Sequence, residues 1–99
     1  MQDLLKEAFD YVLKEYRSSG YSFWRELIGK DPLVLTHPKN AGVEIEVSSM
    51  WDRVKPGGAI RVIVSTFELR PERFRVRVPT ASFLVYEDDR IETFARDPT

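Results

Sequence analysis

No cysteine occurs in the 99 residues. That excludes a disulfide framework, a thiolate zinc site and a cysteine nucleophile. It suits a reducing compartment, and a cytoplasmic location is the expectation. Histidine is almost as scarce, His37 being the one imidazole. It precedes Pro38 and has no nucleophile pattern around it, so the roles of an acid–base site are unfilled. Long apolar runs are missing too; the longest fall far short of a membrane span. The first residues, Met1-Gln2-Asp3, open an amphipathic stretch rather than a basic segment followed by an apolar one, so no signal peptide is expected. Charge of one sign is not in excess either. Fifteen Lys and Arg face sixteen Asp and Glu, which supplies no global pull toward nucleic acid or an anionic membrane. Gly57-Gly58 lacks the lysine and the strand–loop–helix order of a phosphate loop. Glu87, Asp88, Asp89 and Glu92 lack the glycine and spacing of an EF-hand loop. They read as a solvated turn, and neither metal nor cofactor is expected.

What is present belongs to a globular chain. Hydrophobic residues make up 42% and charged residues 31%, a balance that folds rather than stays disordered. A chain of this length forms one domain and buries roughly two thirds of the surface its unfolded form exposes. Residues 1–94 are read as that domain and 95–99 as a frayed tail. The twelve aromatic residues supply much buried area for a small core.

Two helices are expected before any strand. Leu5, Phe9, Val12 and Tyr16 recur at helical spacing through 3–18, with Ala8 and Leu13 widening the stripe. Asp3 suits the first turn, and Ser18-Ser19-Gly20 is a stop signal, with Gly20 free to turn left-handed. Phe23, Trp24, Leu27 and Ile28 mark a short second helix over 22–28, capped by Ser22 and ended by Gly29. It is too short to stand alone and must dock.

Strands follow. Leu33–Thr36 is expected as an edge strand, closed by His37-Pro38, with a turn at Lys39–Gly42. Val43, Ile45 and Val47 alternate with Glu44, Glu46 and Ser48, the pattern of a strand with one wet side. The stretch 57–67 opens at a Pro56-Gly57-Gly58 turn and runs through a β-branched segment, as a central strand does. The link from Met50 to Lys55 is long for a tight hairpin. Phe74–Val78 alternates with Arg75 and Arg77 outward until Pro79. Ser82–Tyr86 and, after a Glu87–Arg90 turn, Ile91–Phe94 complete the set. The fold class is therefore α+β: an N-terminal helix and a short second helix on one face of a mainly antiparallel sheet of four to six strands.

Charge is patterned within the near-neutral sum. Residues 53–77 hold seven Lys and Arg against two Glu, whereas 87–97 hold five acids against two Arg. If Ile60, Val62 and Val64 face the helices, then Arg61, Ile63 and Phe67 face away, beside Glu44, Glu46, Arg75 and Arg77. The simplest reading is a charge ladder between acidic and basic strands. Ile63 and Phe67 do not fit a purely wet face, and apolar groups rimmed by charge mark interaction surfaces. The expected function is thus non-catalytic protein binding or regulation, with an immunity- or antitoxin-like role as one form of it. The candidate binding residues are Trp51, Arg61, Ile63, Phe67, Arg75 and Arg77. The partner is a second protein, or another copy of the chain joined through an edge strand at Leu33–Thr36 or Phe83–Tyr86. The alternative is an anionic small-molecule binder or enzyme with arginines in a helix–sheet cleft. Nucleic acid is disfavoured by the acidic balance and the glutamate strand.

Overall fold

The computed structural model describes residues 3–68 and 80–93. Helix α1 spans Asp3–Tyr16 and α2 spans Gly20–Leu27. The strands are β1 (Leu33–His37), β2 (Asn40–Trp51), β3 (Ile60–Glu68), β4 (Thr80–Val85) and β5 (Ile91–Thr93). They form one antiparallel meander in sequence order, the α+β architecture expected. The expected strand Phe74–Val78, with Arg75 and Arg77, lies outside the described residues, as do Phe94 and the 95–99 tail. Among the described residues no helix is long and apolar enough to cross a membrane.

The apolar stripe of α1 lies against the sheet. Leu5, Ala8 and Val12 are buried, while Lys6, Asp10 and Lys14 stay outside. The helix ends at Tyr16, the last residue of its stripe, two residues before the expected end at 18. The Ser19 amide donates to the Tyr16 carbonyl, and Gly20 then adopts φ +82°, the left-handed turn that favours glycine.

Gly20 also opens α2, so Ser22 lies in the first turn and not at the cap. Neither it nor Ser19 supplies the capping bond: Ser19 is helical in backbone and makes no side-chain cap. The cap comes from Asp89, whose Oδ1 accepts the Tyr21 amide at 2.8 Å. A carboxylate there answers both the open amide and the positive helix end. The left-handed backbone at Gly20 favours glycine, and a side chain would also put its Cβ 3.2 Å from the same Oδ1, close enough to crowd the capping carboxylate.

Trp24 joins the layers. It is 1% exposed and meets Phe23 and Phe83 edge-on, with Tyr16 tilted beside it (centroids 4.9, 5.9 and 5.7 Å). Phe9 closes on Phe83 from α1. Beneath lie Ile45 and Val47 of β2, Ile60, Val62 and Val64 of β3, and Phe83 and Val85 of β4. Full burial of such side chains contributes about 1.5–3 kcal/mol each, so this single layer dominates the stability.

Candidate functional site

Cross-strand register assigns every side chain to a face. Residues opposite one another in an antiparallel pair point the same way. Val47 lies opposite Leu33 and Val64, and Val64 opposite Ala81. This row faces the helices. The neighbouring rows face away: Thr36, Glu44 and Phe67; then Val34, Glu46, Ser65 and Thr80; then Ser48, Ile63 and Ser82; then Met50, Arg61, Leu84 and Glu92. Arg61, Ile63 and Phe67 therefore share the open face, as their odd positions require.

Trp51 is corrected. It is the last residue of β2, opposite Ile60 on the helix side, and it packs half-buried against the core. The strand runs further than its alternation suggests, and Met50-Trp51 continues the period of two. Met50, not Trp51, carries the open face at this end.

Arg61 takes no part in a ladder with the glutamates, whereas Arg75 and Arg77 of the expected ladder lie outside the described residues. Glu44 faces Thr36 and Phe67, and Glu46 faces Val34 and Ser65. Neither is opposite Arg61. That guanidinium instead turns toward the start of the 52–59 loop. Its Nε and Nη2 lie 3.0 and 2.8 Å from Asp52 Oδ1, and its Nη1 donates to Ser82 Oγ at 2.8 Å. The loop is closed by the Asp52 amide on the Ala59 carbonyl and held to α2 by the Tyr21 hydroxyl on the Gly58 carbonyl. Arg61 thus fastens loop, β3 and β4 together. An anion bound there would compete with Asp52, and the helices lie on the opposite side, so this arginine lines no helix–sheet cleft.

The open face remains partly apolar. Val34 is 54% and Met50 49% exposed, whereas Leu84, on the same face, is buried. Ile63 and Phe67 are half-buried. At the far edge the Tyr86 hydroxyl donates to Glu92, and Arg90 lies 4.0 Å over the Tyr86 ring. The hydrogen bond to Glu92, with burial second, raises the Tyr86 phenol above its ordinary value.

His37 is buried and fully engaged. Nδ1 accepts the Lys39 amide at 3.1 Å, which leaves Nε2 to donate to the Leu4 carbonyl at 2.9 Å. This imidazole ties β1 to the first turn of α1 and has no nitrogen left for catalysis. Among the described residues no three His, Cys, Asp or Glu side chains group to hold a metal ion. The trans cap from Asp89 and the Arg61–Asp52 pair escaped sequence reading, because each joins residues that only the fold brings together. Comparison with protein-family models, characterised proteins and solved structures found no match.

Proposed function

We propose that this protein is a non-catalytic binding module whose open sheet face takes a partner protein. One observation carries the reading: β1 and β2 leave Val34 and Met50 about half exposed on the face that also holds Ile63 and Phe67. Apolar groups set among charges are how docking surfaces are built. Glu44, Glu46 and Glu92 set three carboxylates on this face, and with Arg61 paired to Asp52 they favour a partner that brings lysines or arginines. Arg61 supports the surface by holding the 52–59 loop. Arg75 and Arg77 enter the reading on sequence pattern alone. The lack of cysteine suits a reducing compartment, so we place the protein in the cytoplasm.

The test is affinity capture followed by mass spectrometry, comparing the natural chain with Met50→Lys, Ile63→Asp and, as a control on the far side of α1, Lys14→Glu. The expected result is a protein retained by the natural chain and by Lys14→Glu but lost from the two open-face variants. Retention by all four, with each variant folded by circular dichroism, would overturn the assignment.

A further inference from the structure

Tyr21 makes two bonds that tie α2 to two separate loops. Its amide donates to Asp89 Oδ1 in the β4–β5 turn at 2.8 Å, and its hydroxyl donates to the Gly58 carbonyl in the 52–59 loop at 2.7 Å. Asp89 reaches the helix from left-handed backbone, at φ +69°, a conformation that aspartate tolerates better than most residues. The turn fixes it there, with the Asp89 amide on the Tyr86 carbonyl and the Tyr86 amide on the Arg90 carbonyl. The 52–59 loop has less to hold it. Residues 53–58 are all exposed. Gly57 and Gly58 are left-handed, at φ +103° and +78°. Among the described residues nothing lies within 4 Å of the place a Cβ on either would take, so these glycines serve the turn of the backbone and not packing. Next to Gly58 the loop closes on itself, the Asp52 amide donating to the Ala59 carbonyl. The Asp52 carboxylate then takes Arg61, whose Nη1 reaches Ser82. Arg61 shares its row with Met50 and Leu84. The bonds run in series from a turn beside α2 to a cation on the opposite side of the sheet.

We propose that Asp89, acting through Tyr21, sets the position of the 52–59 loop and with it the placement of Arg61 on the open face. Asp89 is a positioning residue in this scheme. With the cap in place the first turn of α2 is ordered, and the Tyr21 hydroxyl is delivered to Gly58. The loop is then closed, and Asp52 holds the guanidinium at the loop end of the face. Without the cap the first turn frays, Gly58 loses its donor, and Asp52 no longer keeps its place beside Arg61. The cation leaves Asp52 and adds positive charge to a face whose carboxylates favour basic partners. The cap is thus a latch that tunes the charge of the docking face. Its effect on binding rests on the open-face reading, whereas the coupling itself does not.

Hydrogen exchange at the Asp52 amide and at Arg61 Nε, followed by NMR in the chain without a partner, tests the coupling. A purely local cap would leave these groups unmoved. Tyr21→Phe keeps the ring and removes only the hydroxyl, and Asp89 is exposed, so neither change opens the core. Asp89→Ala and Tyr21→Phe are each expected to speed exchange at both groups about fivefold, the opening that matches one lost capping bond. Asp89→Asn keeps a capping oxygen and is expected to exchange like the natural chain. Asp89→Ala combined with Tyr21→Phe is expected to be no faster than the faster single variant, since two breaks in one series count once. Exchange that Asp89→Ala leaves unchanged overturns the proposal. So do rates that multiply in the double variant, or an Asp89→Asn chain that exchanges like Asp89→Ala. With no partner in the sample, the outcome is separate from that of affinity capture: coupling without capture removes the open-face reading alone.

Discussion

Strand β3 presents two faces that are held by different physics. Ile60, Val62 and Val64 are 0% exposed beneath the helices. One residue out of step, Arg61, Ile63, Ser65 and Phe67 are half-buried on the other side. The covered face is closed chiefly by apolar contact, with Trp24 and Phe83 at its centre and one bond from His37 to the Leu4 carbonyl at its edge. The open face is organised by directed contacts: Arg61 on Asp52 and Ser82, and Tyr86 on Glu92. Dispersion and burial are non-directional and reward filling a volume. Hydrogen bonds and ion pairs in water contribute little net stability but fix geometry. One face therefore makes the fold stable, and the other keeps a defined shape while remaining accessible.

The same substitution on the two faces gives the largest test of that contrast. Ile60→Ala is expected to cost about 2–5 kcal/mol, as a buried isoleucine does when its cavity cannot collapse. Ile63→Ala, three positions along, is expected to cost about 1 kcal/mol or less, because the side chain already meets water. Urea denaturation of the two variants reads the difference directly, and equal losses would mean that the open face is core.

The covered face also buries three polar side chains, His37, Ser49 and Thr66, and Ser49 sharpens the comparison. Ser49 points to the helix side opposite Val62, and its hydroxyl is buried with no hydrogen-bond partner among the described residues. An unpaired buried hydroxyl costs free energy that an apolar group of similar size does not. Ser49→Ala is expected to raise stability by about 1 kcal/mol, seen as a higher Tm. A drop would show that the hydroxyl has a partner.

The smallest effect belongs to the open face and to pH. The bond to Glu92 raises the Tyr86 phenol above its ordinary value of 10.0. A raised pKa means that the folded chain holds this proton more tightly than the unfolded chain. The stabilisation is thus complete below about pH 10 and is lost as pH climbs through the folded value. Thermal melts between about pH 8 and pH 11 should fall less steeply for Tyr86→Phe than for the natural chain. The bond is exposed, so the difference is expected to be small. Identical slopes would show that the contact does not persist in solution.

Much of this was legible in the sequence because it rests on periodicity. The α1 stripe, the alternation through Val43, Ile45 and Val47, and the odd–even split of β3 all record which side of an element meets apolar surroundings. Gly20 and Gly29 could be read as helix ends because left-handed backbone favours glycine wherever it occurs, and both take it, at φ +82° and +80°. The candidate site was legible only in part. Arg61, Ile63 and Phe67 follow from parity. Trp51 was misplaced because the end of β2 carries no break in composition, and a strand's length depends on its neighbour. Glu44 and Glu46 do not stand opposite Arg61, since register is decided by pairing and not by the alternation within either strand.

By itself, then, the sequence determined the elements, their inward sides and the scarcity of catalytic groups. These are properties of local spacing and of residue chemistry. Only the tertiary structure decided that Asp89 caps a helix 68 residues earlier, that Arg61 turns to Asp52, and that His37 is locked to α1. Each of these depends on two distant segments meeting within hydrogen-bond reach, and no local pattern encodes that distance.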